Sequence, residues 1–156
     1  MKDLNIGIPL ENRNKTIDII YIALASETIL NLKIRHYHWN IEAKNFSELH
    51  SFFETLYDLS SEQIDDLAER IRMLWAQVKA NQEQFLEASL LESEKNINLD
   101  SNTMIQQLLN DYETMIVYLR AAISQVWDLW DIGTEDFLTG LIQAHEKNAW
   151  MLRSML

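Results

Sequence analysis

Five side chains between residues 38 and 69 are of the types that hold transition metals: His38, His50, Glu54, Asp65 and Glu69. Imidazole nitrogen and carboxylate oxygen together suit iron, manganese or zinc and leave coordination positions open to a reactant. Their spacing limits how they can cooperate. If residues 46 to 74 form one helix, His50/Glu54 and Asp65/Glu69 are both i,i+4 pairs, and all four side chains fall within an arc of about 100°. His50 and Asp65 are nevertheless 15 residues apart, roughly 22 Å along a helix. No single ion spans that distance.

If the chain reverses near Ala43 to Asn45, His38 stands about as far before the turn as His50 stands after it. An antiparallel hairpin then sets the two imidazoles side by side, with Glu54 within reach. Crossing the second helix over its own copy about a two-fold axis would bring His38, His50 and Glu54 of one chain to Asp65 and Glu69 of the partner subunit, twice per dimer. An intrasubunit di-iron centre needs Glu-x-x-His on two helices instead. The residues three before His36, His38, His50 and His145 are Lys33, Arg35, Ser47 and Ile142, which disfavours that arrangement.

The elements that must position these groups are long helices. With three Gly and one Pro in 156 residues, tight hairpins are scarce and sheet is disfavoured. Apolar periodicity predicts helix A from about Asn14 to Glu42, with Ile17, Ile20, Leu24, Thr28 and Leu32 on one stripe widened by Ile19, Ile22, Ile29, Leu30 and Ile34. Helix B is predicted over 46–75, with a short helix around Gln82 to Ser89 inside a connection long enough to cross the molecule. Helix C should start at an Asp100 or Ser101 N-cap and run through Val126, and Trp127 to Gly133 should break it, with Gly133 as C-cap or turn. Helix D should follow Thr134-Glu135, with Phe137, Leu138, Leu141, Ile142, Ala149, Trp150 and Leu152 inward. Residues 1–12, holding Pro9, read as an irregular arm. One domain of all-α class, a four-helix bundle with a single long crossover, accounts for the whole chain.

At this point the motifs match a family. His38-Trp39-Asn40-Ile41, the run from Phe46 to Glu54 (FSELHSFFE) and the run from Asp65 to Arg70 (DDLAER) resemble the signature of the Dps-type miniferritins, H-W-N-V, F-x-x-L-H-x-x-F-E and D-x-x-A-E-R. The NIGI of residues 5 to 8 and the close from Gly133 to Leu156 are of the same kind. The resemblance implies a ferritin-like bundle over 1–156 and intersubunit ferroxidase ligands at His38, His50, Glu54, Asp65 and Glu69. It further implies a hollow homododecamer that oxidises Fe(II), preferably with hydrogen peroxide rather than dioxygen, and stores the ferric product. Acidic residues near Asp131 and Asp136 are implied to line pores that admit iron on three-fold axes. Two departures stand out: Ala43 replaces a usual glycine after the H-W, and Trp75-Ala76 replaces a Gly-Gly pair, so helix B is not expected to end in a glycine cap.

The totals agree with such a protein. A net charge of −11 suits gathering cations and opposes DNA, whose binding rests largely on neutralisation by Lys and Arg; the basic residues Lys2, Arg13 and Lys15 near the start make no lysine-rich tail. With no Cys, disulfides and thiolate metal sites are excluded. No apolar run is long enough to span a membrane, and the chain reads as a cytosolic protein. His36 and His145 read as ordinary polar positions, and Asp58, Glu62 and Asp66 as a solvated face or the lining of a cavity. Trp39 reads first as packing at a subunit contact, with protection against oxidising equivalents as its sharper role. Arg70 and Arg153 are expected to pair across subunits. The alternatives to an iron-oxidising store are a DNA-compacting structural protein, a shell whose sites are blocked by zinc, and a bundle with an incidental polar face.

Overall fold

The computed structural model describes residues 4–156, so the first three residues of the arm lie outside it. Four long helices, α1 (Leu10–Asn40), α2 (Phe46–Met73), α4 (Ser101–Asp128) and α5 (Ile132–Arg153), enclose the core, and the short α3 (Gln82–Ala88) sits in the connection between α2 and α4. No strand occurs among the described residues. α1 packs along α2 and α4 along α5, while α1 also meets α3 and α4. Arg70, near the end of α2, reaches Asp131 and Thr134 at the α4–α5 turn. The two hairpins therefore turn at opposite ends, and the α2–α4 connection traverses the bundle as the long crossover requires.

Local chemistry explains most helix ends. Asp100 caps α4, its carboxylate accepting from Thr103 N at 3.0 Å and Thr103 Oγ1 at 2.7 Å, and Asn81 caps α3 by accepting from Gln84 N at 2.9 Å, so the first orphan amides are satisfied. α1 starts earlier than periodicity indicated: Pro9 holds the N-cap position, without a side-chain cap, and Leu10 to Asn12 are helical rather than part of an irregular arm. Proline's preset φ suits a helix start. α1 also stops at Asn40, two residues short of Glu42.

The ends of α2 and α4 use tryptophan where glycine is customary. Trp75 (φ 72°) and Trp130 (φ 65°) occupy the left-handed region. Each closes a Schellman motif: Ala76 N donates to Ile71 O, Trp75 N to Arg72 O, Asp131 N to Val126 O and Trp130 N to Trp127 O. Gly133 is therefore neither C-cap nor turn but the second residue of α5. A Cβ there would stand 3.0 Å from Arg70 Nη2, so its smallness serves the approach of α2.

The core forms two apolar clusters. One gathers Leu30, Ile34, Tyr37, Phe53, Leu56, Leu108, Met115 and Leu152; the other gathers Ile20, Leu24, Leu67, Ile71, Leu119, Val126, Leu138 and Ile142. Trp150, assigned inward, faces out at 62% exposure, and Leu32 on the α1 stripe is 55% exposed. α1 carries apolar groups all round its circumference, and one partner helix cannot cover them all.

Candidate metal centre

The loop of residues 41–45 folds α1 back onto α2 and lays the last turn of α1 against the start of α2. His38 and His50 meet there, their ring centroids 3.7 Å apart and their planes 23° from parallel. Each ring is tied to the other's backbone: His38 Nδ1 donates to His50 O at 2.9 Å, and His50 Nδ1 donates to His38 O at 3.0 Å. A carbonyl can only accept, so each Nδ1 carries a proton, and Nε2 is the nitrogen through which either ring could bind a metal ion. His38 O lies in the last turn of α1, where carbonyls lack helical partners, and His50 supplies one. Local helix chemistry thus fixes both the tautomer and the orientation of the two nitrogen donors. Phe46 stacks on His50 at 4.9 Å, and Tyr57 stands edge-on to His38 at 5.1 Å and 82°.

The acids of the expected set are placed differently. Glu54, Asp65 and Glu69 are exposed along α2, and none is in an ion pair among the described residues. The Tyr57 hydroxyl approaches Glu54 Oε1 at 3.5 Å. Among the described residues, no group of three or more His, Asp or Glu converges as a metal-holding set. The hairpin therefore brings the two imidazoles together, while Glu54 does not complete a three-ligand group and Asp65 and Glu69 remain farther along α2. Trp39 is 65% exposed beside His38.

The pore candidates separate. Asp131 is buried, caps α5 by accepting from Thr134 N at 3.0 Å, and pairs with Arg70 at 2.8 Å. Asp136 is exposed and shares a groove of about 380 Å³ with Gln63, Asp66 and Phe137. Both arginines pair within the chain: Arg70 with Asp131 at 2.8 Å, and Arg153 with Glu113 at 2.6 Å.

Three arrangements escaped sequence reasoning. His145 Nε2 lies 2.9 Å from Glu27 Oε2, both residues fully buried. They are 118 positions apart, and no local pattern joins them. Beneath the histidine pair, Arg35 lies over the Tyr57 ring, its guanidinium carbon 4.0 Å from the centroid, and donates to Asn31 Oδ1 at 2.9 Å and Ser61 Oγ at 3.1 Å. The Tyr57 phenol has its pKa raised by desolvation first, then by the charges of Glu54 and Asp58, so it remains a donor. Finally, the crossover is clasped to α1 and α4. Tyr37 donates to Glu94 Oε2 at 2.9 Å and bonds Gln107, His36 Nε2–H reaches Asn96 O at 3.2 Å, and Lys33 meets Asp111 at 2.6 Å. Burial raises the Asp111 carboxyl despite Lys33. At Glu94 burial pulls the same way, but bonds from Asn96 N, the Tyr37 hydroxyl and Lys95 N outweigh it and hold the group below the usual range.

Residues 17–156 match the family described as "Ferritin-like domain". The chain is 36% identical over 157 residues to a low temperature-induced protein of Nostoc sp., covering 100% of this chain and 88% of that one. It is 32% identical over 142 residues to DNA protection during starvation protein 2 of Bacillus anthracis, covering 91% and 97%. Among solved structures it is similar to the DPS protein of Vibrio cholerae O1, described as a member of a broad superfamily of ferritin-like diiron-carboxylate proteins. That likeness has a TM-score of 0.93 at 28% identity and covers 99% of this chain and 97% of that one.

Proposed function

The chain belongs to the ferritin-like family as a Dps-type miniferritin, and from that premise we propose that it oxidises Fe(II) at sites shared between two subunits and stores the ferric product inside a closed homo-oligomer. The reciprocal bonding of His38 and His50 carries this reading. It sets two imidazoles side by side with each Nδ1 occupied and each Nε2 left as the nitrogen available to an ion, a half-site that suits Fe(II). Glu54 would supply an oxygen from the same chain, and Asp65 and Glu69 of the partner subunit would supply the rest. Carboxylates favour the harder ferric ion, so oxidation at such a site is downhill for the ligands as well as for the oxidant. Among the described residues no converged group of three ligands is formed, which suits a site completed by a second copy.

Hydrogen peroxide is the proposed oxidant. Two Fe(II) give one electron each, the O–O bond breaks, and two protons complete two waters, so no hydroxyl radical is released. Trp39, adjacent to His38 and exposed, is positioned to intercept a stray one-electron oxidant. Asp136 and Asp66 line one groove, the proposed route for cations; Asp131, spent on Arg70 and the α5 cap, is not part of it. The net charge of −11 favours iron over DNA as the partner, and the proposed compartment is the cytoplasm. Zinc suits the same donors and would act as a competitor.

His50→Ala removes one imidazole and the bond to the His38 carbonyl. Stopped-flow mixing of anaerobically Fe(II)-loaded protein with peroxide should show the initial oxidation slowed by roughly one to two orders of magnitude; a rate equal to wild type would sink the assignment.

A further inference from the structure

Tyr57 is not among the groups that would hold iron, yet it touches two of them. It follows Glu54 by three residues on α2, so its hydroxyl lies over the same turn, 3.5 Å from Glu54 Oε1. Its ring edge abuts the His38 imidazole at 5.1 Å. The other face of the ring is covered by the Arg35 guanidinium at 4.0 Å, and that guanidinium is held flat by Asn31 and Ser61. Asn31 Nδ2 also donates to the Tyr57 carbonyl at 2.8 Å. The Arg35 stack on the ring and the Asn31 bond to the main-chain carbonyl hold Tyr57 at this place on α2. It links the oxygen donor and one nitrogen donor of the proposed site.

Resting on the ferroxidase reading above, we propose that Tyr57 is a positioning residue that fixes Glu54 as a monodentate ligand, with Arg35 as its clamp. A carboxylate whose Oε1 accepts from the phenol has its anti and syn lone pairs on that oxygen partly occupied, and offers Oε2 alone to an ion. The coordination number at the histidine side stays low, and an open position is kept for the oxidant. The 3.5 Å separation leaves the bond room to tighten as the carboxylate is drawn into place, as catalytic hydrogen bonds do. Without the hydroxyl, Glu54 is free to chelate through both oxygens, which fills that open position. Tyr57 thus governs how many sites on the ion are left for chemistry, while the histidines govern whether the ion binds.

The test uses the full-length, metal-stripped protein titrated with Co(II), which reports coordination number through its visible absorption and needs no turnover. Wild type, Tyr57→Phe, Arg35→Lys and His50→Ala are compared, each with its thermal melt. Wild-type bands should vanish in His50→Ala. Tyr57→Phe should melt as wild type, still bind Co(II), and show weaker bands as the ion gains a ligand oxygen. Arg35→Lys keeps the charge but loses the planar stack and should shift the bands in the same direction. Wild-type bands unchanged in both Tyr57→Phe and Arg35→Lys would overturn the positioning role and leave the metal reading standing. Absence of bands in wild type, or bands that survive His50→Ala, would overturn the metal reading and the positioning role with it.

Discussion

Glu27 and His145 illustrate how one residue pair can be costly and still be retained. Both are fully buried, and Glu27 Oε1 and His145 Nδ1 have no hydrogen-bond partner. They lie where the two apolar clusters meet: on α1 the residues before Glu27 belong to one cluster and Ile29 and Leu30 to the other, and on α5 His145 falls between Ile142 and Ala149. Tyr112 stands edge-on to the imidazole at 5.3 Å, and its own pKa is pushed well up, chiefly by burial. Removing one partner strands the other in a dry core, whereas removing both restores an apolar layer. Glu27→Leu should therefore cost about 3 kcal/mol in chemical denaturation, and the double variant Glu27→Leu/His145→Leu should recover most of it. A double variant no more stable than the single would mean the pair is strongly favourable in its own right. Arg35 and Asn31 show the opposite economy: Arg35 Nε and Nη2 donate to Asn31 and Ser61, and Asn31 Nδ2 donates to the Tyr57 carbonyl.

At the scale of elements, the junction of α2 with the α4–α5 turn rests on one carboxylate. Asp131 caps α5 through Thr134 N, accepts from Thr134 Oγ1 at 2.6 Å, and pairs with Arg70, while Gly133 keeps the space that the guanidinium fills. Asp131→Ala removes the cap and unpairs a largely buried arginine, and should destabilise the protein by about 3 kcal/mol. Asp131→Asn keeps an acceptor for the cap and should lose less. Equal losses for the two, read from urea midpoints, would assign the whole effect to charge. The adjoining helix ends carry Trp75 and Trp130 in left-handed conformations, each worth roughly 1–2 kcal/mol of strain in a residue with a Cβ, yet both indoles are largely exposed, at 57% and 78%.

For the whole molecule, exposed tryptophans, Leu32 and the unpaired acids of α2 describe a surface that a lone chain leaves unsatisfied. Trp39, Trp75, Trp127, Trp130 and Trp150 are all more than half exposed. Closed symmetric assembly buries such patches repeatedly with one set of contacts. A closed shell of twelve copies of the 18.4 kDa chain should appear in light scattering at about 220 kDa. A monomer or simple dimer under the same conditions would remove the cavity and leave at most the two-fold ferroxidase sites.

Much of this was legible in the residues themselves. The helices, the crossover with its short α3, and the Asp100 cap follow from apolar periodicity and local hydrogen-bonding chemistry, which act over a few residues. The meeting of His38 with His50 follows from a short reversal between two helices whose lengths could be read. Helix ends were less legible, because Pro9 can start a helix without a side-chain cap and tryptophan can close one without glycine. What only the tertiary structure decided are contacts between residues far apart in sequence: Glu27 with His145, Arg70 with Asp131, Arg153 with Glu113, and Arg35 on Tyr57. Periodicity says which face of a helix is apolar, but which neighbour that face meets, and at what register, is set by packing of the whole bundle. The same physical reason made Asp131, implied as a pore acid, a buried cap and turned Trp150 outward.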